Sequence, residues 1–481
     1  MEVFLEHYWP HILAAISFIL GATAAIHAAM TKDEVRAAIG WVGIIMLSPI
    51  LGAAIYAVAG INRMRRASVR EKRDALQDQV AFEEQSHQVG RSKIVDDFGT
   101  RLAALWTLGE TVTGLPATAG NRIRLLTTGD EAYAAMLSAI DNAERSIILE
   151  TYIFDSDTIG RKFVESLANA VKRGVEVRVL VDSIGARYSR PRITGLLRER
   201  GIRVATFNGA VLLRMRLPYA NLRTHRKILV VDGETAFAGG MNIRAAFTGP
   251  DAAHDTHFEL KGAAVADYLS VAAADWFFET GEALDGDAWD INDPAAPGDG
   301  VVARVVPSGP DRHLGNNNKM IIGALSVAEE RVTIMSPYFL PDRDLVSALA
   351  TAARRGVDVK IIVPGKNNLG MVDRAMTAQF SEIIRDGSKI FRDRGPFNHS
   401  KLMTIDGKWS YLGSSNMDSR SLRLNFETDL EVFDEAFAAE LEARIAPSLT
   451  NSEAVTLESL RKRPFIFRLR DRILWLGLPY L

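Results

Sequence analysis

The 481-residue sequence predicts an α/β protein made of two copies of one unit, preceded by two transmembrane helices. Three observations carry that expectation. Two long uncharged stretches open the chain, helical patterns then alternate with short β-branched runs, and a single order of elements and polar residues occurs twice. Composition sets the outer bounds: 57 Lys+Arg oppose 59 Asp+Glu, and there is no cysteine. A formal charge of −2 argues against a dedicated nucleic-acid binder, which needs a basic domain to neutralise phosphates. The missing thiols exclude disulfide scaffolds, thiolate zinc sites and a cysteine nucleophile.

The first element is membrane. Between Glu6 and Lys32 lie 25 uncharged residues, and between Arg36 and Arg63 another 26. A hydrocarbon core of about 30 Å takes roughly 20 helical residues, so either stretch is long enough to cross. Buried core helices are the alternative, as is a secretory signal for the first, but Met1–Glu6 holds two Glu and no basic residue where a signal needs positive charge. Pro49, Gly43 and Gly52 are tolerable in lipid. We therefore expect a transmembrane hairpin over residues 1–62. Arg63, Arg65, Arg66, Arg70, Lys72 and Arg73 crowd its far end, opposite a charge-balanced loop at 31–38. The positive-inside rule places that end, and the chain that follows, in the cytoplasm. A basic juxtamembrane connector over 63–120 then lies against anionic headgroups.

The repeat occupies the remainder. Asp130–Asn142 reads as a helix, Ser146–Phe154 as a strand, Gly160–Arg173 as a helix and Val175–Asp182 as a buried strand. The same order returns in Lys319–Glu329, Arg331–Phe339, Asp342–Arg355 and Val357–Val363. Arg173-Gly174-Val175-x-Val177 matches Arg355-Gly356-Val357-x-Val359, and Tyr152 matches Tyr338. The expected lobes are 121–290 and 300–450. Asp285–Gly300, rich in Asp, Gly, Ala and Pro, reads as a loop between them; Trp289 stands where a calcium loop needs oxygen.

Polar chemistry is duplicated with the scaffold. Each half carries a histidine, a lysine two residues on, an aspartate seven on and an asparagine seventeen on: His225, Lys227, Asp232, Asn242 and His399, Lys401, Asp406, Asn416. Residues two apart on a strand share a face, so each histidine projects beside its lysine. Asp232-Gly233 and Asp406-Gly407 are strong hairpin turns that bring Gly240 and Asn242, or Ser414 and Asn416, back to the pair. Imidazole, ammonium and amide together suit a tetrahedral phosphate. A working histidine also needs a carboxylate to fix its tautomer. Asp255-Thr256-x-Phe258-Glu259 and Glu427-Thr428-x-Leu430-Glu431 lie 30 residues after His225 and 28 after His399, and we assign their first acids, Asp255 and Glu427, as orienters. Asp232 and Asp406 read physically as turn builders. No metal ligand cluster, nucleotide loop or serine elbow accompanies them. His7, His11 and His27 belong to the first membrane stretch. His87, His254, His257 and His313 lack a repeated partner, although His257 can line the site.

These paired motifs, with Gly239-Gly240 and Gly413-Ser414 before each asparagine, resemble those of the phospholipase D superfamily. The N-terminal hairpin, the run Ser415-Asn416-Met417-Asp418-Ser419-Arg420-Ser421 and Asn425-Phe426-Glu427 further resemble bacterial cardiolipin synthases. The resemblance covers nearly the whole chain and is weakest over 74–120. It implies a two-lobed phospholipase D fold, a duplicated α/β/α sandwich with a pseudo-twofold site. Its implied catalytic residues are His225, Lys227, Asp232, His399, Lys401 and Asp406, assisted by Asp255 and Glu427, with Asn242, Ser414 and Asn416 on phosphate. Gly240 departs from Ser414, so hydroxyl help to phosphate is expected in one half only.

The implied reaction moves a phosphatidyl group from one phosphatidylglycerol to another through a phosphatidyl-histidine, releasing glycerol, with no cofactor and no metal. The alternative is a hydrolytic or broad-specificity phospholipase D. Metal-dependent synthases carry Asp-Gly-x-x-Ala-Arg, whereas Phe237 follows Asp232-Gly233-Glu234-Thr235-Ala236 here. A nuclease would want a basic track, and a scaffold would not need both motifs intact. The expected partners are phosphatidylglycerol and anionic membrane lipid, with no nucleic acid; a homo-oligomer is compatible with the sequence. The expected location is the bacterial inner (plasma) membrane, multi-pass, with the catalytic domain on the cytoplasmic side. Residues 451–481 mix arginines with Phe465, Phe467, Leu469, Ile473, Leu474 and Trp475 and read as an amphipathic membrane-associated segment. Val211–Tyr219 has a similar mixture.

Overall fold

The computed structural model describes residues 2–32, 35–60, 87–208, 222–291, 300–418, 420–422 and 424–477. The basic cluster after Gly60 and the Val211–Tyr219 segment lie outside the described residues. An N-terminal helical unit and a larger α/β body are separate compact units.

In the N-terminal unit the first apolar stretch is one helix, Glu2–Thr31, of which Tyr8–Thr31 is long and apolar enough to cross a membrane. Phe18, Ile26 and Met30 turn outward. The second stretch is not one helix. It breaks into Val35–Leu47 and Pro49–Ile55, followed by a π-turn over Tyr56–Gly60. The cause is local: Pro49 cannot donate to the preceding turn and pushes its predecessor out of the helical region, and Ser48 sits at φ −145°, ψ 84°. The chain then doubles back. Gly52 lies so close to the backbone of Ile44 and Ile45 that a Cβ there would stand 2.5 Å from the Ile44 carbonyl oxygen. Pro49 packs on Gly21 in the middle of the long helix. Trp41 and Tyr56 rings meet at 5.3 Å, His27 Nδ1 and Tyr56 Oη lie 2.8 Å apart, and Lys32 Nζ donates to the Gly60 carbonyl. Gly60 therefore returns to the end of the long helix that carries Lys32.

The α/β body is built on one continuous sheet whose strand order repeats outward from its middle. Thr118–Leu126 and Val301–Ser308 pair antiparallel at the centre. On one side follow His257–Lys261, Thr235–Gly239, Ile228–Val231, Ser146–Thr151, Glu176–Asp182 and Arg203–Phe207. On the other follow Asn425–Phe433, Trp409–Gly413, Leu402–Ile405, Arg331–Met335, Asp358–Pro364 and Lys389–Asp393. The two halves are related strand for strand, as the repeat requires. Helices Thr158–Lys172 and Arg343–Arg354 have strongly one-sided apolar faces and start at Asp157 and Asp342, whose carboxylates cap free backbone N–H groups. Separate apolar cores fill the two lobes, centred on Ile147, Val179 and Leu229 and on Ile334, Ile361 and Met403.

Two boundaries differ from the sequence reading. Within the expected connector, Arg91–Thr113 is a helix whose Leu102, Leu105 and Trp106 join the second lobe's core. Within the expected C-terminal membrane segment, Ser452–Val455 first adds an edge strand to the sheet by pairing with Lys389–Asp393. Two helices then follow, Leu457–Lys462 and Phe465–Leu476.

Candidate active site

Each histidine stands just before a hairpin strand and just after a short pairing with the other lobe. Arg223–Thr224 pairs in parallel with Asn425 and Phe426, and His225 N–H donates to the Phe426 carbonyl at 2.8 Å. In the mirrored place His254 bridges Asn398, and His399 N–H donates to the His254 carbonyl at 2.7 Å. Each pairing sets a histidine beside the acid of the opposite lobe. His225 Nδ1 lies 3.0 Å from Glu427 Oε2, and His399 Nδ1 lies 2.8 Å from Asp255 Oδ2. The acids are thus exchanged between the halves. The fifth-position acids go elsewhere: Glu259 meets Arg124 at the surface, and Glu431 meets the buried Arg304.

A carboxylate on Nδ1 holds the proton there and leaves Nε2 with its lone pair. Neither Nε2 has a protein partner among the described residues. The lysines follow the expected face: Lys227 Nζ donates to the His225 carbonyl, and Lys401 Nζ donates to the His399 carbonyl and stands 2.9 Å from His399 Nδ1. All four groups are nearly sealed from solvent. Burial therefore dominates their titration, depressing His225 well below its ordinary range and His399 to about 4, with the lysines pushing both further down. Burial likewise lowers Lys227 to about 7 and Lys401 to about 8, against the pull of the nearby carboxylates. The two acids differ. Burial alone would raise Asp255, but Lys401 and His399 overcome it and hold Asp255 down at about 2, whereas burial wins at Glu427 and raises it.

Ser414, expected on phosphate, is turned the other way. Its Oγ donates to Glu427 Oε2 at 2.7 Å and accepts from Thr428 N–H at 2.9 Å, so it braces the acid behind His225. Its counterpart is Gly240, where a Cβ would stand 2.2 Å from Asp255 Oδ1. Each half thus fills one volume differently: a longer acid with serine beside it, or a shorter acid against glycine. Asn242 Oδ1 accepts from Ile153 N–H at 3.0 Å, leaving its amide nitrogen without a protein partner among the described residues. The buried Asn416 side chain has no protein hydrogen bond there at all, which frees it for a ligand.

Asp232 and Asp406 are not in the site, which corrects their place in the implied catalytic set. They occupy the far turns of the two hairpins at φ 55° and 53°. The Asp232 carboxylate accepts from the backbone N–H groups of Glu144, Arg145 and Ser146 at 2.7–2.9 Å; that of Asp406 accepts from Glu329, Glu330 and Arg331 at 2.8–2.9 Å. His257 is buried in its strand opposite Gly239, near enough to Asp255 and Lys227 for both charges to act on it.

Aromatic walls escaped the sequence reading. The Tyr152 ring lies 5.1 Å from His225 and also under Lys227 Nζ, and the Tyr338 ring lies 6.0 Å from His399, with Phe397 at 5.9 Å. Their matched places in the repeat were the available signal. Among the described residues no group of His, Asp and Glu has the makings of a metal site.

Comparison with known proteins settles the family. The model described as cardiolipin synthase, PLD-like domain matches residues 136–276 and 321–447, which are the two lobes. The chain belongs to this family. It is 33% identical to cardiolipin synthase A of Pseudomonas aeruginosa over 96% of this chain and 94% of that one. It is 32% identical to cardiolipin synthase of Alkalihalophilus pseudofirmus over 89% of this chain and 86% of that one. Among solved structures, phosphatidylserine synthase of Haemophilus influenzae superposes with a TM-score of 0.58 at 17% identity, covering 78% of this chain and all of that one, which shows the shared fold.

Proposed function

We propose that this member of the family joins two phosphatidylglycerol molecules into cardiolipin and glycerol through a phosphatidyl-histidine. The observation that carries the reading is the exchanged pairing: two imidazoles from different lobes, each with Nδ1 on the other lobe's carboxylate and Nε2 unpartnered. His225 is the nucleophile and His399 the acid. Depressed well below its ordinary range, His225 keeps the lone pair an attacking nitrogen needs. His399 faces the ionised Asp255, the better support for an imidazolium. His399 acts as the acid once it has taken a proton on Nε2, the imidazolium being held between the ionised Asp255 and the incoming anionic phosphodiester. His225 Nε2 then forms a bond to phosphorus while the phosphorus–glycerol oxygen bond breaks, and His399 gives that oxygen its Nε2 proton. The primary hydroxyl of the second phosphatidylglycerol then gives its proton to His399 and attacks phosphorus, breaking the nitrogen–phosphorus bond. Lys227, Lys401, Asn242 and Asn416 donate to the phosphate oxygens.

Labelled phosphatidylglycerol in detergent tests the reading. Cardiolipin and free glycerol in equal amounts are expected; phosphatidic acid as the main product would establish the hydrolytic alternative. In His399→Ala, label should remain on His225. Label on His399 in His225→Ala, with none on His225 in the converse variant, would reverse the roles.

For the membrane unit we infer one crossing by the Glu2–Thr31 helix and a re-entrant dip by Val35–Gly60, which leaves on the side it entered. The arginines after Gly60 favour the cytoplasm for that side and for the catalytic body. On this reading the chain crosses the membrane once rather than twice.

A further inference from the structure

A second concentration of positive charge lies in the C-terminal elements, on residues the chemistry above does not use. A cavity of about 450 Å³ opens between helix Gly370–Arg385 and the pair Leu457–Lys462 and Phe465–Leu476. Arg385, Arg461, Arg463, Arg468 and Arg472 line it, against a single acid, Asp471. That acid is already committed: its carboxylate is buried and accepts from Arg463 and Arg470 at 2.5 and 2.8 Å. Arg385, Arg461, Arg468 and Arg472 pair with no carboxylate among the described residues. The buried Asp471 therefore ties the last helix to Arg463 at the end of the short helix before it, while the remaining guanidinium groups keep their charge for something else.

The same helix leaves its apolar side chains in solvent. Phe465, Ile466, Ile473 and Leu476 are 69%, 63%, 59% and 70% exposed. Free arginines around a cavity, next to uncovered aromatic and aliphatic side chains on a single helix, are the two halves of a lipid: a phosphodiester headgroup and acyl chains. Guanidinium binds phosphate oxygens in pairs, and an amphipathic helix buries such a face at the headgroup level.

We infer that this cavity is a binding site for the headgroup of an anionic phospholipid, separate from the catalytic histidines. The Phe465–Leu476 helix enters the membrane surface and the arginines close on the phosphate of one lipid beneath it. The site rests on the membrane-facing reading of that helix and not on the assignment of the chemistry. Its consequence is selectivity for anionic surface: the body would engage a bilayer only where its own substrate class is present.

Hydrogen exchange on the full chain in nanodiscs tests this, comparing phosphatidylcholine alone with phosphatidylcholine containing phosphatidylglycerol, and a third sample in phosphatidylcholine with added inorganic phosphate. Amides of residues 457–476 should exchange about tenfold more slowly with phosphatidylglycerol than without it, with little change on adding phosphate. In the Arg461→Gln, Arg468→Gln, Arg472→Gln variant the difference should vanish, while turnover of short-chain phosphatidylglycerol in detergent stays at the parent level. Equal protection in both lipids, unaltered by the variant, would overturn the headgroup site yet keep the membrane-facing helix. Absence of protection in either lipid would overturn both. Equal slowing by inorganic phosphate would make it a phosphate site and refute the lipid.

Discussion

Replacing Asp255 with Asn and, separately, Glu427 with Gln distinguishes the two halves of the site. Both substitutions preserve shape in places where shape is tight, since Asp255 fills the volume against Gly240. An amide can donate to Nδ1 where a carboxylate only accepts, which moves the ring proton to Nε2. On His225 that removes the attacking lone pair. Glu427→Gln should therefore lose about four orders of magnitude in turnover, close to 5 kcal/mol of barrier. On His399 a proton on Nε2 still points at the leaving group, but without the ionised acid. Asp255 is held near 2 rather than 3.8, so its cations and hydrogen bonds stabilise the carboxylate by about 2 kcal/mol, and the His399 imidazolium gains in return. Asp255→Asn should accordingly lose about two to three orders with phosphatidylglycerol. The assay compares phosphatidylglycerol with a phosphatidyl nitrophenol, whose leaving group departs without a proton. The first-turnover burst of nitrophenol from Asp255→Asn should recover to within about tenfold of the parent, while Glu427→Gln stays inactive on both. Recovery in Glu427→Gln instead would exchange the roles of the histidines. Equal loss by Asp255→Asn on both substrates would refute the idea that its carboxylate serves leaving-group protonation. Melting temperatures should stay close to the parent in both variants.

Lys227 and Lys401, lowered to about 7 and 8, lose their charge as pH rises through those values, so kcat/KM should fall on the alkaline side there. In Lys227→Arg the limb due to Lys227 should disappear from the pH profile even if turnover drops. His399 is lowered to about 4, so the unfolded chain takes up its proton first and stability falls as pH drops from 6.5 toward 4, by up to about 3 kcal/mol. His399→Gln should lose that part of the acid-induced fall in melting temperature; an unchanged fall would place the titration elsewhere. Asp232→Ala should remove an acceptor shared by three backbone N–H groups, cost about 2–4 kcal/mol of stability and leave turnover per folded molecule within about threefold. Urea unfolding beside kinetics decides it, and a folded but inactive variant would return Asp232 to the chemistry. The chain has no native cysteine, so single cysteines report sidedness directly. Cysteines at Glu2 and at Lys408 should label from opposite faces of intact membrane vesicles; labelling from one face would restore a two-span hairpin.

How far the sequence reaches into this molecule depends on the range of each interaction. Helices such as Asp342–Arg355 were legible to within a residue or two because apolar spacing and an aspartate cap act within a few turns. The His-x-Lys face and the Asp-Gly turns were legible for the same reason, since pleat and turn geometry are local. The second membrane stretch is split into shorter helical pieces by an equally local feature. A proline tolerable in a long membrane helix can still break it when glycines such as Gly52 let the chain fold back on itself. What no local pattern could supply was the pairing of Arg223–Thr224 with Asn425–Phe426 and of His254 with Asn398, which join strands roughly 150 to 200 residues apart. Those pairings, rather than the repeat itself, decide that Glu427 serves His225 and Asp255 serves His399. The consequence is functional. Because each half holds the other's carboxylate, neither lobe alone contains a histidine with a fixed tautomer, and the two imidazoles are completed together when the two lobes close into one sheet.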